Sequence, residues 1–165
     1  MPSIVEFKTR FFRDLDKIQN ATERAAKRSL SRFGAFVRTR ARSSMRRRKK
    51  ASAAGQPPSA HVGLIKQFLF FAYEPRDKNV VIGPALLGGK SRSGQTVPEL
   101  QEYGGETQVQ EAQLSGDLWV GQGRVKIDGR PVRLRRAKYP ERPYMRPAWE
   151  AELPKAPGMF KDSIR

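Results

Sequence analysis

Between Phe12 and Met45 the apolar residues recur every three or four positions: Leu15, Ile18, Ala21 or Thr22, Ala25, Ser29 or Leu30, Phe33, Val37, Ala41, Met45. That spacing predicts one long helix with a single apolar stripe. Asp14 and Asp16 stand near its start and Arg and Lys crowd its end, the order a helix dipole favours. Unbroken, it would be about 50 Å long. A compact domain of 165 residues has a radius of gyration of roughly 15 Å. The helix is therefore expected to project from the body or to bend, with Gly34 the candidate bend. The rest of the fold has to be arranged around it.

The same stretch carries a charge pattern. From Arg24 to Tyr73 there are thirteen Lys and Arg and no acid, whereas Val97 to Asp117 holds five acids and no Lys or Arg. The net charge is +17. A polarised chain of this kind fits either a phosphate polymer or a second copy of itself, plus face against minus face. Charged residues make up 30% of the chain and hydrophobic ones 38%, so a single domain spanning residues 1–165 is expected to have a small core. There is no cysteine, which excludes disulfides and thiolate ligands. No apolar run approaches the ~20 residues that span a bilayer, and no secretory leader is visible. A chain made and used in a cytoplasm is expected.

Residues 46–63 read as a loop. It starts with the five bases Arg46, Arg47, Arg48, Lys49 and Lys50, runs into Gly55-Gln56-Pro57-Pro58-Ser59, and is expected to be mobile. Leu64 to Tyr73 is a strand candidate apolar on both faces, with Ile65, Leu69 and Phe71 against Leu64, Phe68 and Phe70. A turn at Glu74–Asp77 returns it as a second strand over 79–83. Pro98 to Tyr103 fits one helical turn stopped by Gly104-Gly105. Residues 106–116 are polar and ambiguous. Short strands follow at 118–120 and 124–127, with a hairpin at Asp128-Gly129. Val132 and Leu134 alternate with Arg133 and Arg135, as in a half-buried ribbon with a basic outer face. Tyr139 to Pro143 must be extended. Pro147 is placed to open a last helix striped by Met145, Trp149 and Leu153 and ended by Pro154 and Pro157. These elements make an α+β chain: a long N-terminal helix on a small antiparallel sheet, with a short C-terminal helix.

Catalytic constellations are poorly represented. His61 is the one histidine and lies in a Pro/Ser loop far from any acid. Glu99 and Glu102 stand three apart on one short turn, a spacing commoner on solvated faces than in carboxylate dyads. Gly88-Gly89-Lys90-Ser91 lacks the upstream glycine of a phosphate loop. No enzyme, metal or cofactor is expected. The run Arg46–Lys50 has no interleaved aromatic for base stacking, and no groove-reading module is evident. Any nucleic-acid contact is expected to be phosphate-only and sequence-blind, through this run and through Arg133, Arg135 and Arg136.

Three segments occur in order after the basic helix: Gly55-Gln56-Pro57-Pro58-Ser59-Ala60-His61-Val62-Gly63-Leu64-Ile65, then Val97-Pro98-Glu99-Leu100-Gln101-Glu102-Tyr103-Gly104-Gly105, then Tyr139-Pro140-Glu141-Arg142-Pro143-Tyr144-Met145-Arg146-Pro147-Ala148. The chain thereby resembles the tail-component family of tailed bacteriophages, head–tail joining proteins that include minor tail proteins of the Z type. The matching positions are Pro57, Pro58, Ser59, Gly63 and Leu64; Leu100, Glu102, Tyr103 and Gly104; and Arg142, Pro143, Met145, Pro147 and Ala148. Tyr144 stands where the family pattern has Phe, Gln101 separates Leu100 from Glu102, and the β-ribbon of residues 106–138 is a longer insert than the family pattern has.

The resemblance implies a non-enzymatic virion protein, assembled in the host cytoplasm as a ring of six subunits at the head–tail junction or the head-proximal tail end. Its implied partners are itself, head-connector proteins and tail-tube proteins, with no membrane. In a ring each patch must meet a different patch on the next copy. Arg38, Arg40, Arg42 and the 46–50 run are accordingly expected to approach Glu99, Glu102, Glu106 or Glu111 of a neighbour. Phe68 and Phe70 are expected to bury their strand's second face there. Remaining bases would face DNA in the lumen or an acidic partner ring. The alternative is a sequence-independent nucleic-acid-binding protein.

Overall fold

A computed structural model of the chain describes residues 15–60, 64–85, 96–121, 131–161 and 163. Its longest element is helix α1, Leu15–Ser44, thirty residues and so about 45 Å long. The first residue of α1 to be buried is Ala25; Leu15 and Ile18 stand exposed, so the N-terminal turns do project from the body. Lys66 donates its ammonium to the Met45 carbonyl just beyond the other end, at 3.3 Å, where the helix dipole favours a cation.

The helix runs unbroken through Gly34, which has a different role from the expected bend. A Cβ there would sit 2.8 Å from Val80 Cγ2 and 3.0 Å from Phe71 Cδ2. Glycine lets the hairpin of β1, Leu69–Glu74, and β2, Asn79–Pro84, lie directly on the helix. The two strands pair antiparallel from Leu69↔Pro84 to Glu74↔Asn79. A lone two-stranded hairpin is marginal in water, and the helix supplies the missing layer. Leu69, Phe71, Tyr73, Val80 and Ile82 face inward, and Phe70, Ala72 and Val81 face outward. The expected strand over 64–73 therefore starts late: Leu64–Gln67 forms a short helix, α2, leading into β1.

The core joins Phe33, Val37, Ala41 and Met45 to Leu69, Tyr144 and Ala148. The last two come from the C-terminal segment. There α4, Met145–Glu152, passes through a 3₁₀ turn, Leu153–Lys155, into α5, Ala156–Phe160. Pro147 sits in the first turn of α4 and does not open it. Pro154 and Pro157 begin new turns where they were expected to stop the helix; in a first turn the missing N–H costs nothing. Trp149 meets Phe33 edge-on at 5.0 Å, and the Ser29 hydroxyl donates to the Met159 carbonyl at 2.9 Å. The hairpin and the C-terminal helices thus occupy two sides of α1, and a third side faces out.

Between these layers α3, Val97–Tyr103, leads into a three-stranded antiparallel sheet of order β4-β3-β5. Its strands are β3, Gly105–Ser115, β4, Leu118–Gly121, and β5, Val132–Tyr139. The ambiguous 106–116 stretch is thus the central strand. The expected half-buried ribbon is corrected: Leu134 is 51% exposed and Val132 38% exposed, because this sheet packs neither face on α1. The 124–127 strand, the Asp128-Gly129 turn, His61, and the Gly88–Ser91 echo of a phosphate loop lie outside the described residues.

The 46–60 segment is a loop, as expected, but it is anchored along its length. Ala60 N–H donates to Arg46 O at 3.1 Å and Gly55 N–H to Glu141 O at 2.9 Å. The Ser59 hydroxyl donates to Lys50 O at 3.0 Å, and Arg142 Nε to Ser52 O at 2.9 Å. Ser52 and Pro58 are buried. Composition suggested mobility, and backbone hydrogen bonds to distant segments override it.

Gly34→Ala tests the helix–hairpin contact. Alanine is the better helix former by about 1 kcal/mol, yet forcing a methyl against a β-branched side chain and a ring costs roughly 1–3 kcal/mol. We expect thermal unfolding to show a net loss of stability; a gain would mean that the hairpin is not held against Gly34.

Candidate functional site

The three segments that carry the family resemblance meet at one place. Gly104 ends α3 at φ +70°, and a Cβ there would lie 2.9 Å from Glu141 N and 3.0 Å from Tyr139 O. Only glycine combines that backbone with so close a neighbour. Arg142 N–H donates to Gln101 O at 2.6 Å, and the Arg142 guanidinium reaches back to the 46–60 loop. Glu102 lies at the centre. Its carboxylate accepts from the N–H groups of Tyr144 at 2.9 Å, Met145 at 3.0 Å and Arg146 at 2.7 Å. Those are the free donors at the start of α4. Tyr144 occupies the N-cap position and makes no side-chain cap, so Glu102 supplies it from another element.

This corrects Glu102 as an intersubunit contact. It is 6% exposed and its acceptors are used within the chain. Tyr144, buried beside it, has its phenol pushed well above the ordinary range by burial and then by the Glu102 charge. Glu99 is likewise spent locally: it closes a capping box in which Thr96 N–H donates to Glu99 Oε2 at 2.6 Å and Glu99 N–H donates to Thr96 Oγ1 at 3.4 Å.

Glu111 is the third acid to be reassigned. It faces Arg133 across the β3–β5 ladder and binds it at 3.0 Å and Arg135 at 2.7 Å. The Arg135 hydrogen bond, followed by that of Arg133, holds the Glu111 carboxyl below its usual range against the opposing effect of burial. Arg133 also lies over the Trp119 ring at 4.4 Å. Neither arginine is a free phosphate grip, whereas Arg136 is exposed and unpaired among the described residues. Of the four acids proposed for a neighbour, Glu106 is exposed and stands opposite Lys138 in the ladder.

The basic partners divide in the same way. Arg38 Nε donates to Leu69 O at 2.6 Å and its guanidinium lies 5.9 Å from the Phe70 ring, so it closes the hairpin's edge. Arg40 is bonded to Glu152, which Lys155 also holds at 3.0 Å. Those two groups, Lys155 first, keep the Glu152 carboxyl below its usual range. This pair, which joins α1 to α4, carries no local sequence signal, because its partners are 112 residues apart. Arg42 and the 46–50 run are different. Arg46, Arg47, Lys49 and Lys50 are exposed, Arg42 and Arg48 partly so, and none forms an ion pair among the described residues.

The apolar candidates also separate. Phe68 is half-buried, with its ring 6.4 Å from that of Phe70 in an edge-on contact. Phe70 is 49% exposed and Val81 57% exposed, both on the outer face of the hairpin. Beside the end of β2 lies a cleft of about 390 Å³, floored by Tyr144 and Met145 and walled by Pro84, Pro98 and Tyr103. Among the described residues no helix is long and apolar enough to cross a membrane, and no cluster of His, Asp and Glu is spaced to hold a metal ion. No family model, curated protein or solved structure matches the chain.

Two measurements test the junction and its acids. Glu102→Ala leaves three donors of α4 uncapped and is expected to cost about 3 kcal/mol in urea unfolding. An unchanged midpoint would remove Glu102 from the account. For Glu111 and Glu152 the folded pKa lies below the ordinary glutamate value of about 4.5. Their contribution is therefore complete above that value and lost as pH falls through the folded pKa. Stability is expected to fall on acidification below about pH 4.5, and less steeply in Glu152→Gln; parallel profiles would count against the Arg40–Glu152–Lys155 cluster.

Proposed function

We propose that the chain is a structural, non-enzymatic subunit of a tailed phage particle. It builds a homo-oligomeric ring, of six copies on the family resemblance, that joins head to tail at the neck or the head-proximal tail end. The observation that carries this reading is the balance of apolar surface. Fourteen large hydrophobic side chains stand 38–65% exposed among the described residues. Among the same residues ten hydrophobic side chains are buried, four of them alanine. A monomeric domain covers its large apolar groups better than this, whereas an assembly subunit leaves them for neighbours.

The placement of these groups supports a ring in particular. Phe70 and Val81 lie on the outer hairpin face, Trp149 and Leu153 four residues apart on the C-terminal helices, and Leu118 and Leu134 on the three-stranded sheet. Separate patches on different elements favour heterologous contacts, which form a ring where the rotation between copies closes. The charge scheme is narrowed accordingly. Arg42 and the 46–50 run remain available to a neighbour, while Glu102 and Glu111 are used within the chain, so apolar burial carries most of the association.

Light scattering on the full-length chain over its soluble concentration range tests self-assembly. A closed multimer is expected, and Phe70→Asp with Val81→Asp should reduce it to monomer while the far-ultraviolet spectrum stays unchanged. A mass that stays monomeric at every concentration would overturn the ring.

A further inference from the structure

The third side of α1, which neither the hairpin nor α4 and α5 cover, is a cationic ridge. Arg24, Arg28 and Arg32 follow one another at four-residue steps, and Ala35, Thr39 and Arg42 continue the same face. Gly34 marks the side of the helix on the hairpin, and Ser29 and Phe33 mark the side on the C-terminal helices. The ridge points away from both. Arg24, Arg28 and Arg32 are exposed, and none of the four arginines pairs with a carboxylate among the described residues. Directly beyond its C-terminal end comes the run Arg46–Lys50, tied down by the Arg46–Ala60 and Lys50–Ser59 hydrogen bonds.

From these observations we infer that the outer face of α1 and the anchored 46–50 run form one continuous site for the phosphate backbone of duplex DNA. Three features favour this partner. From Arg24 to Arg42 the ridge spans about 27 Å, the length of roughly eight base pairs. Arg24, Arg28 and Arg32 stand about 6 Å apart, and the small side chains of Ala35 and Thr39 between Arg32 and Arg42 leave the ridge smooth enough to lie along a phosphate row. No large apolar residue stands on that face between Arg24 and Arg42, whereas protein partners are held by buried aromatic or aliphatic anchors. The exposed apolar groups lie elsewhere: Phe36 sits to the side under Arg32, Leu15 and Ile18 precede the ridge on α1, and the others belong to α2, α3, the hairpin, the outer sheet and the C-terminal helices.

Among the described residues no carboxylate pairs with the ridge. Glu102, Glu111 and Glu152 are all buried against donors of their own chain, and Glu23 turns toward Gln19 and Lys78. Like charges held this close repel one another, and a polyanion that releases its counterions on binding offsets that repulsion. Anchoring the 46–50 run lowers the ordering cost that a free basic tail pays on binding. The site reads no sequence, because it offers phosphates cations and offers base edges no groove-entering element.

This inference does not rest on the ring reading. Fluorescence anisotropy with two unrelated 30-base-pair duplexes, at protein concentrations where light scattering reports the mass, separates the two. The intact chain is expected to bind both duplexes equally. Nine cations fully engaged give a logarithmic salt slope of about −8. Arg24→Gln/Arg28→Gln/Arg32→Gln should weaken binding at least tenfold and flatten the slope by about 3, and neutralising Arg46–Lys50 should flatten it by about 4. All these side chains are surface-facing, and circular dichroism checks that each variant is folded. No duplex binding at physiological salt, an unaltered slope in the ridge variant, or equal binding of polyglutamate would each overturn the site, the last in favour of an acidic protein partner.

Discussion

One carboxylate ties the fold together. Glu102 is carried on the seven-residue α3, and it caps the start of α4 from more than forty residues away. The desolvation of a buried acid is offset because it meets three N–H donors and the positive end of a helix dipole. Through α4 the effect extends to the core. Tyr144 and Ala148 complete the cluster around Val37 and Leu69, and Trp149 and Glu152 fix the C-terminal helices on α1. The adjoining Gly104 turn and the Arg142 contacts bring the 46–60 loop to the same place. A chain with so small an apolar core uses a hydrogen-bonded junction where a larger domain would use packed side chains.

That economy explains how much could be read in advance. The period of α1 was plain in the sequence, because a helix packed on two sides keeps one stripe apolar throughout. The β1–β2 pairing and the helical turn at 97–103 were also legible from local alternation and a glycine stop. The 106–116 strand was not. Its residues are mostly polar since neither face reaches the α1 core, so alternation carries no hydrophobic signal there. Pro147, Pro154 and Pro157 misled for a related reason: proline marks a helix boundary, and whether it ends one turn or begins the next depends on the packing of the segment.

The candidate site failed to show itself in a more instructive way. Acids and bases were grouped by their distance along the chain, and folding re-sorted them. Glu102 went to backbone donors, Glu111 to the strand opposite, and Arg40 to a residue of α4. One trace of the junction was present: α4 begins without a Ser, Thr, Asp or Asn of its own at the N-cap. A short helix with no local cap implies that a distant acceptor supplies one. The glycine after Tyr103 similarly implied a close backbone approach, though nothing local names the segment that approaches.

On the ring reading, the distribution of charge bears on how readily two copies meet. Folding takes Glu102, Glu111 and Glu152 inward while Arg24, Arg28, Arg32 and most of the 46–50 run stay exposed, so the surface seen by another copy is more positive than the sequence alone suggests. At physiological ionic strength that repulsion acts over about 8 Å, which is the range of the last approach before apolar patches touch. On the ring reading, the exposed groups of the hairpin and the C-terminal helices supply attraction only at contact. The cationic ridge opposes the encounter that precedes contact. A polyanion laid along α1 would lower that barrier without occupying any apolar patch, because the two kinds of surface lie on different sides of the helix. On the ring reading, assembly would then be strengthened where DNA is present, a coupling that follows from placing charge and apolar area on separate faces.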